Sequence, residues 1–225
     1  MSERFAVVIP ALDAVQTVGA IVSDARKEVP RVIVVDDGST DGTGDAARAA
    51  GAEVVRHERN RGKGAALKSG FLEALQQGVD AVITLDADAQ HLPREIGRFI
   101  DAYEASGADL IIGSRAHLFA GMVGRRRAAN RFSAWSISRA STVRVLDSQS
   151  GFRLYSARLL RQLTIRANGF DAESEVIVRA GRAGLGIREI PIDLGFVNGI
   201  ATSHYRPVLD TLRIAWTVTR TVVAG

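Results

Sequence analysis

The chain has no cysteine, and among its 225 residues only five prolines, two methionines and two tryptophans. Lacking cysteine, it has no disulfide scaffold, zinc finger, iron–sulfur site or thiol nucleophile. No apolar run approaches the roughly 18 residues that a membrane-crossing helix needs. The opening residues hold only the short apolar stretch Phe5–Ile9, too brief for a secretory signal core, so the expected location is the cytosol. Lysine is also scarce (Lys27, Lys63 and Lys68), and positive charge is nearly all guanidinium, the group suited to forked contacts with phosphate.

What is present reads as an ordinary folded chain, with 46% hydrophobic and 24% charged residues. Its length fits one large domain or two small ones, and a chain this long can bury roughly 70% of its unfolded surface, so it needs no covalent or metal staple. The net charge of +4 is unevenly spread. From Gly113 to Arg166 there are eleven arginines and a single acid, Asp147, giving +10; the remainder carries −6. Such polarity points to an anionic partner: phosphate groups, an anionic membrane or nucleic acid.

Short β-branched runs alternate with helical patterns through the first half. Strands are expected at Phe5–Ile9, Val32–Val35, Glu53–Arg56, Ala81–Leu85 and Leu110–Ile112, and helices at 17–29, 41–50, 63–77 and 93–106. Repeated βαβ units with nearly unbroken apolar strands imply an α/β fold, a mostly parallel sheet with helices on both faces. After Ser114 the pattern predicts an Arg-rich helix over 121–145, strands over 151–155 and 187–192, helices over 157–163 and 173–183, a loop over 193–206 and a closing helix over 207–223. There is no internal repeat or linker, so a single domain is expected. Residues 1–115 form its first half, 116–206 its second, and 207–225 a C-terminal amphipathic helix.

In open α/β sheets ligands sit beyond the carboxyl ends of the strands. Pro10-Ala11-Leu12-Asp13 follows the first strand, Asp36-Asp37-Gly-Ser-Thr-Asp-Gly the second and Asp86-Ala87-Asp88-Ala89-Gln90 the fourth. Carboxylates gathered at one edge repel unless a cation lies among them, and a hard divalent ion is the simplest resolution. Common nucleotide and metal motifs fail: Leu67 stands where a dinucleotide fingerprint needs its third glycine, Gly38–Gly44 lacks the P-loop ending, and His91 occupies the glycine position of a calcium loop. Alone, each acidic stretch is also what a solvated turn or helix cap looks like; their joint position at strand ends favours a metal–nucleotide site.

The stretches VVIPALDA, VVDDGSTDGT, NRGKGAALKSG, LDADAQH, GSR, DSQSGFRLYS, EIPIDL and TSHYRPVLDTLRI occur in that order. Together they resemble family 2 glycosyltransferases of the GT-A (Rossmann-like) fold, in the branch of polyprenyl-phosphate or dolichyl-phosphate mannosyl- and glucosyltransferases. The likeness runs from about Phe5 to Ile214. It implies that Pro10, Ala11, Leu12, Asp13, Asp37, Lys63, Asp86, Ala87, Asp88 and His204 serve a UDP- or GDP-sugar. Asp86, Asp88 and Gln90 would hold Mg2+ or Mn2+. Arg115 would lie at the transferred sugar and acceptor phosphate, and Asp147 would be the acid at the reacting centre. Two departures stand out: Asp13-Ala14 replace the family's Asn-Glu after the first strand, and Ser203-His204 replaces a common Ser-Lys.

Chemistry then separates the acceptors. A lipid phosphate is already ionised near neutral pH, so it requires arginines to hold two anions together rather than a strong base; Arg115, Arg126, Arg127 and Arg131 are the candidates, with Arg131 also at the reacting centre. A hydroxyl acceptor requires a carboxylate base, for which Asp147 and Glu173 are the candidates. The favoured expectation is an inverting, metal-dependent transfer of a hexose to a polyprenyl phosphate by a peripheral enzyme on the inner face of the membrane. A nucleic-acid-binding module using the +10 stretch is the contrasting class; it leaves the acidic strand ends unexplained, so no nucleic-acid partner is expected. Trp135, Phe132 and Ile137 are read either as packing on the core or as dipping into the membrane surface. The four histidines are read as structural or exposed, His204 excepted.

Overall fold

The computed structural model describes residues 2–121 and 124–195, with 216, 217 and 219–221 near the C terminus; the side chains of 119–132 lie outside the described set. Seven strands form one sheet: β1 (Phe5–Ala11), β2 (Val32–Asp36), β3 (Glu53–Arg56), β4 (Ala81–Thr84), β5 (Leu110–Ser114), β6 (Arg153–Ser156) and β7 (Ile187–Pro191). Their order is β3-β2-β1-β4-β6-β5-β7. The neighbours β1/β2, β1/β4, β2/β3 and β5/β7 pair in parallel, whereas β6 runs antiparallel to both β4 and β5. The mostly parallel α/β sheet expected from the sequence is therefore the fold.

Among the described residues the helices that cover it are α1 (Val18–Glu28), α2 (Thr43–Ala49), α3 (Lys63–Gln76), α4 (Ile96–Ser106), α5 (Gly124–Ser141), α6 (Ala157–Gln162) and α7 (Asp171–Arg182). Strand alternation divides the core. Val8, Ile33, Val35, Leu110 and Tyr155 face α3, α5, α6 and α7, while Val7, Ile9, Val34, Ile83 and Leu154 face α1, α2 and α4. Helix α3 lies close on β1 because Gly70 has no side chain: a Cβ there would sit 2.4 Å from Val8 Cγ1.

The expected boundaries hold within a few residues, with two instructive shifts. The helix over 93–106 opens with a 3-10 turn at Pro93–Glu95. The strand expected over 151–155 begins only at Arg153, and the residues before it turn out to belong to the site. Because β6 is antiparallel, with Thr84 and Ile112 both opposite Arg153, the segment entering β6 lies beside the carboxyl ends of β4 and β5. The loop over 193–206 beyond Gly195, and most of the helix expected over 207–223, lie outside the described residues.

Candidate active site

The loops after β1 and β2 are stitched together by short polar side chains. The Asp13 N–H donates to Ser39 Oγ (3.0 Å), and Asp13 Oδ1 accepts from the Thr40 N–H (3.0 Å). The N–H groups of Ala14 and Val15 donate to Thr43 Oγ1 and Asp41 Oδ2. Asp13 adopts a left-handed backbone with φ 48°, which a short polar residue tolerates better than a bulky one. Pro10 and Ala11 end β1 opposite Val35 and Asp36, and Leu12 follows, half-buried.

Asp37 is buried and fully engaged. Its Oδ1 meets His57 Nδ1 at 2.6 Å and accepts from the Arg61 N–H at 2.9 Å, while Oδ2 accepts from the Gly62 N–H at 2.8 Å. His57 reaches Ser69 Oγ through its other nitrogen (2.9 Å). Asp37 thus fixes the turn that delivers Lys63 at the start of α3.

From there Lys63 Nζ lies 2.6 Å from Asp86 Oδ1 and 3.1 Å from Glu173 Oε2, with the Phe170 ring 5.6 Å away. Burial works against the ammonium, but the two carboxylates outweigh it and raise its pKa. Burial likewise lifts Asp86, yet Lys63, joined by His91 and Arg115, brings its carboxyl down to about 2. Asp86 is boxed in from behind, since a Cβ on Gly151 would lie 2.4 Å from its Oδ2. Glu173 is 5% exposed, and its Oε1 is buried with no hydrogen-bond partner among the described residues.

Asp88 follows in a turn in which its Oδ1 accepts from the Gln90 N–H at 3.0 Å and Ala89 takes φ 59°. The Ala87 carbonyl accepts from Thr17 Oγ1 at 2.6 Å, tying this turn to α1. Burial, reinforced by the neighbouring Asp86 charge, pushes the Asp88 carboxyl upward. His91 is buried against Phe152 (5.3 Å between rings) and accepts from the Asp86 N–H across 3.4 Å. Desolvation pushes its pKa down to about 4, so the ring is neutral.

Arg115, immediately after β5, closes the site. Its Nε and Nη2 donate to Asp147 Oδ2 and Oδ1 at 2.7 and 3.1 Å, and its N–H adds a 3.0 Å bond to Oδ2. The Gln149 N–H also donates to Asp147 Oδ1 (3.1 Å). Burial lifts the Asp147 carboxyl, but these Arg115 contacts hold it below the usual carboxylate range. The backbone around it is anchored by Glu189 on β7, which accepts from the N–H groups of Leu146 and Asp147, both at 2.8 Å. Arg153, completely buried, donates to the carbonyls of Ser148, Ser150 and Glu173, linking the Asp147 loop to α7.

The site thus brings together Lys63, Asp86, Asp88, Arg115, Asp147 and Glu173, with Gln90 beside Asp88. Arg126, Arg127 and Arg131 fall on α5, but their side chains lie outside the described residues, as does His204. His117 is exposed, whereas His57 and His91 are buried. Ile137 packs in the core, and Trp135 is 62% exposed. Sequence reasoning missed Glu189, Gly151 and Arg153, whereas His91, read as structural or exposed, is buried against Phe152. The available signal was the Ser-Gly-Phe-Arg run, but an antiparallel β6, which puts residues preceding a strand at the ligand edge, is invisible to strand periodicity.

The donor set fits a hard divalent ion. Asp86 and Asp88 offer carboxylate oxygens, the like charge that raises Asp88 is what a cation relieves, and magnesium-type ions are commonly bound by one or two carboxylates plus substrate phosphates. Among the described residues no three carboxylate or imidazole groups gather closely enough to hold a metal alone, so an ion held here would need further ligands such as phosphate oxygens and water.

A family profile described as glycosyl transferase family 2 matches residues 6–165. The chain belongs to that family. It is 30% identical over 203 residues to the undecaprenyl-phosphate mannosyltransferase of Micrococcus luteus, covering 84% of this chain and 82% of that one. It is 32% identical over 210 residues to the polyprenol monophosphomannose synthase of Mycolicibacterium smegmatis, covering 85% and 77%. Among solved structures, glucosyl-3-phosphoglycerate synthase from Mycobacterium tuberculosis, in complex with Mn2+, UDP and glucosyl-3-phosphoglycerate, aligns with a TM-score of 0.70 at 25% identity, over 98% of this chain and 78% of that one. The family 2 glycosyltransferase is thus a GT-A-like enzyme, and the Micrococcus and Mycolicibacterium relatives are polyprenyl-phosphate enzymes by name.

Proposed function

We propose that this glycosyltransferase moves a hexose from a UDP- or GDP-sugar to the phosphate of a polyprenyl phosphate, inverting the anomeric configuration. The observation that carries the acceptor assignment is the state of the two carboxylates able to serve a hydroxyl acceptor. Asp147 is locked in a forked pair with Arg115 and depressed by it, and Glu173 is buried against Lys63. A general base works best with a pKa near the operating pH. Asp147 is on the wrong side of that range, and Glu173 is shut off from an incoming alcohol. A phosphate acceptor needs neither, because its second ionisation lies near pH 6.

In this reading the acceptor oxygen attacks the anomeric carbon as the bond to the diphosphate breaks on the opposite face. Asp86 and Asp88, with Gln90 near them, would hold Mg2+ or Mn2+, which supplies a Lewis acid against the charge of the departing diphosphate. Arg115 directs two of its donors at Asp147, and a guanidinium has five, leaving others for the acceptor phosphate. Asp147 therefore orients Arg115, and Arg126, Arg127 and Arg131, the acceptor candidates of the sequence, would add to its positive charge. Lys63 and the loops carrying Leu12, Asp13 and Asp37 would frame the donor.

No helix among the described residues is long and apolar enough to cross a membrane. Exposed Trp135 and Trp216 (62% and 69%) suit an enzyme that meets its lipid at the membrane surface, since tryptophan favours that boundary. The acceptor assignment is tested by supplying undecaprenyl phosphate and undecaprenol side by side. Sugar transfer to the phosphate alone is expected; transfer to the alcohol would move the chemistry to a hydroxyl acceptor.

A further inference from the structure

Lys63 stands where a cation is wanted. Its ammonium lies 2.6 Å from one oxygen of Asp86 and 3.1 Å from Glu173, and the Asp86 carboxylate has little room to withdraw. Gly151 backs the Asp86 carboxylate at a distance that leaves no room even for a methyl group. Lys63 itself is delivered by a turn that Asp37 pins through the N–H groups of Arg61 and Gly62. A divalent ion approaching Asp86 in the free protein therefore meets an ammonium already in contact with that carboxylate. Opposing this, the site holds more negative charge than one lysine neutralises: Asp86 and Glu173 touch it, the Asp88 carboxylate feels its charge, and Glu173 Oε1 is buried with no hydrogen-bond partner among the described residues.

We propose that Lys63 is a resident counter-cation which competes with the divalent metal for Asp86, so that metal binds tightly only together with the donor diphosphate. This rests on the reading of Asp86 and Asp88 as the metal carboxylates. The diphosphate brings the negative charge that lets ammonium and metal share the pocket, with Lys63 turning from Asp86 toward phosphate oxygens. Coupling of this kind is reciprocal: the diphosphate strengthens metal binding by the same factor as metal strengthens diphosphate binding. Glu173 holds Lys63 from the opposite side and limits its grip on Asp86.

The test is Mn2+ binding to the full chain, read from the electron paramagnetic resonance signal of free Mn2+, with and without UDP. Removing a like charge in contact with a ligand carboxylate is worth about a factor of ten or more in affinity. Lys63→Met is therefore expected to bind Mn2+ without UDP about tenfold tighter than wild type, with a correspondingly smaller gain when UDP is added. Mn2+ should also raise the melting temperature of Lys63→Met more than that of wild type, as one cation replaces another. Glu173→Gln, which keeps the lysine and removes a negative charge, should bind Mn2+ severalfold more weakly than wild type. The proposal is overturned if Lys63→Met binds Mn2+ no tighter than wild type, or if Glu173→Gln binds it as tightly or more so. If wild type binds no Mn2+ even with UDP, the metal reading of Asp86 and Asp88 falls too.

Discussion

Asp147 and Arg115, 32 residues apart in sequence, meet through two side-chain contacts of 2.7 and 3.1 Å, supported by a third bond from the Arg115 backbone. With Asp147 2% exposed, this is a buried pair whose geometry satisfies the carboxylate from one side. In the proposed reaction Asp147 would position the arginine rather than accept a proton.

Asp147→Ala should then leave a largely buried guanidinium unpaired and lower stability by about 3–5 kcal/mol, measurable as a lower urea midpoint. Transfer should fall with it, chiefly through weaker acceptor binding. Because Arg115 holds Asp147 ionised well into acid, the kcat profile of the wild type should show no limb between pH 5 and 8 that disappears in Asp147→Asn. Such a limb would restore the base role.

Asp88 predicts a separation of stability from activity. Burial and Asp86 both disfavour its charged form, so Asp88→Asn should be at least as stable as wild type at pH 7. Transfer should nevertheless drop by on the order of a hundredfold or more if the carboxylate helps hold the metal. Thermal melts and initial rates on one preparation decide this, and full activity in the variant contradicts the metal assignment.

Gly151 sets the position of Asp86. A Cβ at 2.4 Å from Asp86 Oδ2 must displace that carboxylate, and misplacement by about 1 Å costs on the order of a hundredfold in rate. Gly151→Ala should show that loss in kcat/KM. Gly19→Ala on α1, where the nearest atom would be 3.8 Å away, should leave the rate unchanged.

His91 gives the protein an acid sensitivity that starts above the carboxylate range. Its folded pKa is pushed down to about 4 from 6.5, chiefly by burial. The unfolded chain therefore takes up the proton first as pH falls. Stability from this group is intact above about pH 6.5 and is lost progressively down to about pH 4, on the order of 3 kcal/mol in all and about 2 of it between pH 7 and 5. Losses from Asp86 and Asp147, whose pKa values are depressed, follow only below about pH 4. In metal-free buffer the urea midpoint of wild type should fall between pH 7 and 5, and that of His91→Gln should change much less. Equal slopes would remove His91 from the account.

Much of this was legible in the chain itself. The β-branched runs gave five strands of the first half, because a parallel strand buried on both faces reads as a continuous apolar stretch. The acidic residues after β2 and β4 were legible as neighbours at one edge of the sheet, because they follow the carboxyl ends of strands that pair through β1. Strand β6 was expected but its direction was not: that it runs antiparallel to β4 and β5, which packs Gly151 against Asp86, is seen only in the three-dimensional fold. Pairings such as Lys63 with Glu173, or Glu189 with the backbone of Asp147, join segments from 42 to 110 residues apart. No local periodicity encodes them.

The central claim is most directly tested by incubating the protein with radiolabelled UDP-glucose, UDP-GlcNAc, UDP-galactose or GDP-mannose, undecaprenyl phosphate and Mg2+ or Mn2+, then extracting into organic solvent. The account predicts that one of these donors delivers label to the organic phase and that EDTA abolishes it. Metal-dependent breakdown of a donor with no lipid-linked product would contradict the polyprenyl phosphate acceptor, and undiminished lipid labelling in EDTA would contradict the metal.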